Sequence, residues 1–306
     1  MSSDAEGTRC GYVALIGAPN AGKSTLLNRL VGRKLAIVTP KVQTTRARLL
    51  GIAIEGKAQL IFVDTPGIFE PRRRLDRAMV AAAWAGAADA DATALLVDAA
   101  RAVERGVDRD AERIIERLGE SGRRAILVLN KIDLTRREQL LGLADRLFAA
   151  GPFDHVFMIS ALTGDGADDL KRHLAAIAPP GPWLFPEDQL SDAQERWLAA
   201  EVTREQVFLQ LHDELPYAAT VETESWEERR DGSARIEQVI FVRRESQRAI
   251  VLGEGGRRIK TIGVRARAEL ETMLERRVHL FLFVKVRENW LEDPERFAAI
   301  GLDYNA

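Results

Sequence analysis

One turn and its flanks restrict this chain more than any other feature. The apolar run Tyr12–Ile16 leads into Gly17-Ala18-Pro19-Asn20-Ala21-Gly22-Lys23-Ser24, and a helical pattern begins near Ser24 and Thr25. The spacing is G-x-x-x-x-G-K-[ST], in which the glycines let the backbone curl until successive N–H groups face one point at the positive end of the helix. Such a turn needs a buried strand before it and a helix after it. The N-terminal part is therefore expected to be an α/β structure, with the turn at the carboxyl end of a strand. Its chemistry suits a polyphosphate: Lys23 would reach the β- and γ-phosphates, and the Ser24 hydroxyl would ligate Mg²⁺.

The sequence around this turn supports that architecture. Apolar runs at Leu49–Ile54, Gln59–Val63, Thr93–Val97, Ala125–Leu129 and Val156–Ile159 alternate with helical patterns such as Asp108–Leu118 and Arg137–Ala149. Most of these runs are continuous rather than alternating, as parallel strands buried on both faces are. Gly56 separates two of them so briefly that Leu49–Ile54 and Gln59–Val63 are expected to form an antiparallel hairpin at one edge. Four of the eleven prolines, Pro179, Pro180, Pro182 and Pro186, then break the pattern. Beyond them a helix from about Ser191 to Asp213 is followed by two strands, a helical stretch interrupted by glycines, and the strand Val278–Val286. The expectation is a mostly parallel, doubly wound α/β domain over residues 10–178, a linker at 179–190 and an α+β domain over 191–306.

Composition excludes several alternatives. A chain of 306 residues with 46% hydrophobic and 29% charged residues is neither disordered nor fibrous. With Cys10 as its one cysteine it has no internal disulfide, which points to a reducing compartment. The apolar run Ala78–Ala88 is well short of the roughly 18 residues of a membrane span. The N-terminus lacks the apolar segment of a secretory signal. The net charge of −2 is uneven: Arg235–Glu288 holds thirteen Lys and Arg against seven Asp and Glu, which leaves the remainder at −8. That basic segment suits a polyanion or, as readily, a solvated surface.

Three further motifs sit at strand ends. Asp64-Thr65-Pro66-Gly67 places a carboxylate beside the metal and the Gly67 N–H near the γ-phosphate. Asn130-Lys131-Ile132-Asp133 follows the strand Ala125–Leu129. The Asp133 carboxylate can accept hydrogen bonds from guanine N1–H and the 2-amino group, while Asn130 and the Lys131 stem hold the ring. Adenine has neither donor and would leave the charge unpaired, a mismatch that discriminates by about 10⁴ or more. Ser160-Ala161-Leu162 would add a backbone contact to the guanine oxygen. Four such motifs in this order, each at the edge where open α/β sheets bind ligands, specify a guanine nucleotide.

Together these motifs resemble the phosphate-loop, metal, guanine-specificity and closing motifs of the translation-factor class of GTPases. The resemblance implies that Thr39-Pro-Lys-Val-Gln-Thr44-Thr45-Arg46 lies in the first switch region, where a threonine joins Ser24 and Asp64 around Mg²⁺. Thr45 is preferred to Thr44 by a small margin. Ile68 stands where Ras-like GTPases carry the glutamine that orients the attacking water. Hydrolysis is thus expected to be slow and to rest on positioning and electrostatics, with Lys23, Thr45, Gly67 and Asn20 as the catalytic set. Asn20 resembles the asparagine that binds K⁺ in related GTPases, and a loop-stabilising role explains it equally well.

In the basic segment, Gly253-Glu254-Gly255-Gly256-Arg257-Arg258-Ile259-Lys260 resembles the G-x-x-G loop of a KH domain. Two glycines there allow close approach to a single-stranded RNA backbone, and Arg257, Arg258 and Lys260 supply charge. Glu254 departs from the basic residues common in such loops. The element order matches the bacterial, type II KH arrangement. A P-loop GTPase domain followed by a type II KH domain resembles the Era-like family of bacterial GTPases over residues 10–302. That resemblance implies a GTP-hydrolysing switch that binds 16S rRNA near its 3′ end and assists small-subunit assembly. It also implies a cytoplasmic monomer, and allows weak peripheral association with the inner membrane that no amphipathic segment demonstrates. Two alternatives stay open: a GTPase of tRNA modification or signalling whose C-terminal domain docks on protein, and a nucleotide-gated scaffold with negligible turnover.

Overall fold

The computed structural model describes residues 7–42, 44–288, 290, 294, 297 and 301–306. The chain divides into two compact units, one of Met1–Ala36, Thr45–Asp192 and Ala298–Ala306, the other of Ile37–Thr44 and Ala193–Phe297.

In the first unit the strands β1 (Arg9–Gly17), β2 (Leu49–Glu55), β3 (Ala58–Asp64), β4 (Ala92–Asp98), β5 (Ala125–Asn130) and β6 (Phe153–Met158) form a sheet in the order β2-β3-β1-β4-β5-β6. Every neighbouring pair is parallel except β2 and β3, the expected edge hairpin. Helices α1 (Lys23–Val31), α2 (Arg74–Asp89), α3 (Ala99–Arg105), α4 (Arg109–Glu120), α5 (Arg137–Ala150) and α6 (Ala167–Ile177) connect them. The helix α4 shows how sequence becomes packing. Its Asp108 N-cap accepts the N–H of Asp110 at 2.8 Å, and Ala111, Ile114, Ile115 and Leu118 fall on one buried face. That face joins Leu95, Val97, Leu127 and Leu129 in a core beneath the sheet's carboxyl edge.

Strand β6 begins three residues before the expected Val156, because pairing with β5 already starts at Phe153 opposite Ala125. Residues 179–190, the expected linker, are hydrogen-bonded to strands of this sheet: the Cys10 N–H donates to the Pro179 carbonyl, and the Ile52 N–H donates to that of Leu190 at 2.8 Å. The side chain of Gln59, fully buried, accepts the N–H groups of Leu184 (2.8 Å) and Phe185 (3.1 Å) and donates to the Phe185 carbonyl (2.8 Å).

The second unit contains α7 (Glu195–Gln210), β7 (Thr220–Glu228), β8 (Ala234–Val242), α8 (Glu245–Leu252), α9 (Arg257–Leu274) and β9 (Val278–Val286). Its sheet runs β7-β8-β9, antiparallel and then parallel. Val207, Leu211, Ile240, Val242, Val251, Ile262 and Val284 form its core. Helix α7 starts at Glu195 and not at Ser191, because Ser191 Oγ donates to the Leu50 carbonyl and the Asp192 carboxylate accepts the Leu50 N–H. The periodicity of β9 leads to a misreading. His279, Phe281 and Phe283 share a face that the alternation suggests is core, yet Phe281 and Phe283 are 42% and 47% exposed. Val278, Leu280, Leu282 and Val284 pack inward instead.

His155 and His173, far apart in sequence, meet edge to face with ring centroids 4.2 Å apart. Burial and the neighbouring His155 lower the pKa of His173. Among the described residues no helix is long and apolar enough to cross a membrane.

The Gln59 bonds predict a specific cost. Gln59→Leu keeps the volume but leaves the Leu184 and Phe185 N–H groups without their acceptor, so urea unfolding should show a loss of about 1–3 kcal/mol. A midpoint equal to the wild type would show that these bonds contribute nothing net.

Candidate functional site

The phosphate-loop turn follows β1 directly and delivers Lys23 as the first residue of α1. No side chain caps α1, so its first-turn N–H groups face the loop. The N-cap, Gly22, has φ 98°, and a Cβ there would stand 2.2 Å from Asn130 Nδ2, which admits only glycine. Lys23 is buried, and its ammonium donates to the carbonyls of Gly17 (3.0 Å) and Ala18 (3.1 Å), spanning the turn. Ala18 and Ala21 are buried, Pro19 is half-buried, and Asn20 is exposed with φ 63°.

Asp64 ends β3, fully buried, with its carboxylate accepting a hydrogen bond from Ser24 Oγ at 2.8 Å and from Thr45 Oγ1 at 3.4 Å. Ser24 Oγ and Thr45 Oγ1 are themselves 2.9 Å apart. The other carboxylate oxygen, Asp64 Oδ1, is buried and has no hydrogen-bond partner. Three converging oxygens with one carboxylate lone pair unused, beside a polyphosphate turn, form the hard donor set that suits Mg²⁺. Burial pushes the Asp64 pKa up to about 6, opposed by Lys23, Ser24 and Thr45; burial lowers that of Lys23 to about 8, opposed by Asp64.

Thr45, not Thr44, stands at this cluster. Thr44 Oγ1 lies 2.6 Å from Thr39 Oγ1 and donates to the Lys41 carbonyl. Its segment, Ile37–Thr44, groups with the second unit, where Val38 donates to the Glu205 carboxylate at 2.7 Å and Arg204 donates to the Thr44 carbonyl at 2.5 Å. The Lys41 ammonium donates to the carbonyls of Phe208 and Leu211, near the end of α7. Gln43 lies outside the described residues.

Beyond Asp64, Thr65 Oγ1 donates to the Leu15 carbonyl at 2.9 Å, and Pro66 is buried. A Cβ on Gly67 would meet Pro19 Cα at 3.0 Å, so this turn packs directly on the phosphate loop. The Ile68 N–H donates to the Gly17 carbonyl at 3.0 Å, and the Ile68 side chain belongs to the core.

Asn130 joins three loops. Its Nδ2 donates to the Ala21 carbonyl (2.8 Å), and its Oδ1 accepts the N–H groups of Lys131 (2.8 Å) and Ala161 (2.9 Å). It thereby ties the phosphate loop, its own loop and the Ser160–Leu162 loop. Asp133 is exposed in the short 3₁₀ turn Ile132–Leu134, where a base can reach it. Ser160 is buried and its hydroxyl accepts the Thr163 N–H, while Leu162 is 72% exposed. The Ala161 N–H, expected at the guanine oxygen, is engaged here by Asn130.

In the second unit, Gly253, Gly255 and Gly256 have φ of 71°, 57° and 75° between α8 and α9. A Cβ on Gly253 would collide with Arg258 Cβ at 2.8 Å, whereas Gly255 and Gly256 face open space. Arg257 and Glu254 are solvated and 3.9 Å apart, and Arg258 donates to the Ile250 carbonyl. A groove of about 320 Å³ lies between α9 and β9, lined by Lys260, Gly263, Val264, Arg267, Leu280 and Phe281 among others. Of these, Gly263, Val264 and Arg267 lie beyond the expected RNA-binding set, which ends at Lys260. The available signal is a glycine inside a helix with a basic residue one turn on; a Cβ at Gly263 would make only an ordinary contact with Leu282, at 3.5 Å.

The sequence matches two family models, "50S ribosome-binding GTPase" over residues 12–131 and "KH domain" over 214–291. The chain is 38% identical to a variant of Aquifex aeolicus Era crystallised with GDP and AlF4⁻, covering 96% of this chain and 99% of that one with a TM-score of 0.88. It is 37% identical to Era in complex with MgGDPNP and nucleotides 1506–1542 of 16S ribosomal RNA, with 96% and 99% coverage and a TM-score of 0.89. GTPase Era of Brucella suis biovar 1 is 58% identical over 99% of this chain and 96% of its own. GTPase Era of Rhizobium meliloti is 62% identical over 97% of this chain and 94% of its own, and at that likeness over nearly the full length this chain belongs to the GTPase Era family.

Proposed function

We propose that this chain is a GTP-hydrolysing switch that binds 16S rRNA near its 3′ end through the second unit and assists assembly of the small ribosomal subunit. The observation that carries the nucleotide half is the convergence of Ser24, Thr45 and the half-unpaired Asp64 carboxylate at the mouth of the phosphate loop. The RNA half is supported by the open Gly255–Gly256 backbone, the basic flank and the adjoining groove, together with the family to which the chain belongs.

Ser24, Thr45 and Asp64 would hold Mg²⁺, which when bound supplies positive charge against the β- and γ-phosphate oxygens. Lys23 adds a second cation that is already desolvated and aimed at the loop, so little reorganisation is needed as charge builds on the phosphoryl oxygens. The Gly67 N–H serves as a donor to the γ-phosphate. Since Ile68 is packed away, no side chain at that position orients the water, and intrinsic turnover is slow. Asn20, exposed on the loop, would bind K⁺, which stands in for an arginine finger. Asn130, Lys131 and Asp133 read the base. Thr45 groups with the nucleotide unit and its neighbour Thr44 with the unit that holds α7, so a nucleotide-dependent change at Thr45 would be felt one peptide bond away by a segment anchored to α7.

Base reading has a direct test. Asp133→Asn replaces an acceptor with a group that can also donate, which suits the 2-oxo group of xanthine. The variant should lose GTP binding by 10²-fold or more and gain xanthosine triphosphate binding. Unchanged GTP affinity would remove Asp133 from the site.

The metal site also has a pH signature. Metal binding needs the ionised carboxylate, and burial holds the Asp64 pKa near 6. Mg²⁺-dependent GTP binding should therefore weaken as pH falls through about 6 and level off above it, whereas Asp64→Asn should be weak throughout. Without metal the linkage has the opposite sign: a raised carboxyl pKa favours the fold at low pH, and that contribution is lost as pH rises through about 6. A wild-type binding curve flat between pH 5 and 7.5 would contradict this assignment.

A further inference from the structure

Asp98 is the last residue of β4, and the register places it beside Asn130 on β5, at the start of the base-reading loop. Its two carboxylate oxygens do different things. Oδ1 accepts the N–H of Arg101 at 3.0 Å and caps α3, while Oδ2 takes the ammonium of Lys131 at 2.5 Å. Lys131 is one of four described non-glycine residues with positive φ, at 67°, so its side chain leaves a backbone that lysine rarely adopts. Both side chains are half-buried, at 31% and 22% exposure, which limits the screening of the pair by solvent and salt.

We propose that Asp98 is a positioning residue for guanine recognition, holding Lys131 Nζ so that the lysine stem is extended beside the ring site before a nucleotide arrives. The inference rests on reading Asn130–Asp133 as the base loop. A free lysine side chain has ample rotamer freedom, and ordering it on binding lowers affinity. Anchored at its tip by a charged partner, the stem is ordered in advance, so less of that loss falls on the binding step. The Asn130 carboxamide fixes the backbone of the loop, and Asp98 fixes the side chain that emerges from it. Because the benefit falls on the base, GDP and GTP should share it equally, and the chemical step should not feel it.

The two roles of Asp98 can be separated. Asp98→Ser keeps a side-chain oxygen that can cap α3 but has no charge for Lys131. In the full-length chain, release of fluorescent GDP should become roughly three- to tenfold faster in Asp98→Ser and in Lys131→Met. KM for GTP should rise in step in Asp98→Ser, with kcat at saturation unaltered. The double variant should release GDP no faster than either single one, because Asp98 acts through Lys131. Wild-type release by Asp98→Ser, or effects that multiply in the double variant, would overturn the inference. If Asp98→Ser fails to fold, Asp98→Asn, which retains an acceptor for the cap, must still speed release, and an unchanged rate there would overturn the inference equally. Equal affinity of the wild type for GDP and ADP is a different failure: it would bring down the base-loop reading and this role with it.

Discussion

A single buried carboxamide underlies the nucleotide site. Asn130 makes three hydrogen bonds, to the carbonyl of Ala21 and from the N–H groups of Lys131 and Ala161, and each partner belongs to a different loop. At 2% exposure these bonds form away from competing water, where leaving one unmade costs more than making it gains. Three loops that meet only in space are thus set in register by one residue. Gly22 is the complement of this arrangement, since any side chain there would occupy the space of the amide.

The phosphate end is organised by charge. Lys23 and Asp64 are both desolvated, each pulling the other's pKa back toward its ordinary value against the effect of burial. The pair leaves one Asp64 oxygen without a partner, a cost that a stable protein retains where a ligand relieves it. Thr45 belongs to this cluster, while Thr44, one peptide bond away, is held by the carbonyl-directed Arg204 and by Thr39. In the second unit the anchoring side chains Arg204 and Glu205 are themselves nearly fully buried, so Val38 and Thr44 are held by groups with little freedom to follow them. Thr45 thus sits with Ser24 and Asp64, whereas Val38 and Thr44 are held by side chains of α7.

Much of this was legible in the sequence. Continuous apolar runs gave the parallel strands, and the glycine between Leu49–Ile54 and Gln59–Val63 gave the edge hairpin. The four nucleotide motifs fell at strand ends, where the sheet brings them to one rim. What the sequence could not supply was the outcome of non-local competition. Thr44 and Thr45 have identical chemistry, and only their partners tell them apart. Both faces of β9 carry large apolar residues, so period-two alternation could not say whether Phe281 or Leu282 turned inward. The proline-rich stretch after Ala178 reads as a linker, and nothing local reveals its anchor, Gln59, which is more than a hundred residues earlier in the chain. Asp98 reads locally as an ordinary N-cap, an aspartate before a helix, and its second oxygen finds Lys131 only once β4 and β5 are side by side.

The central claim is that the occupant of the nucleotide site governs the hold of the second unit on RNA. It is tested most directly by measuring the affinity of the full-length chain for an RNA spanning the 3′ end of 16S rRNA, once with GDP and once with a non-hydrolysable GTP analogue, both with Mg²⁺ at fixed ionic strength. A clear difference in affinity between the two nucleotide states, lost when Thr45 is replaced by valine, is the expected result. Equal affinity in both states, or binding indifferent to Thr45, would contradict it.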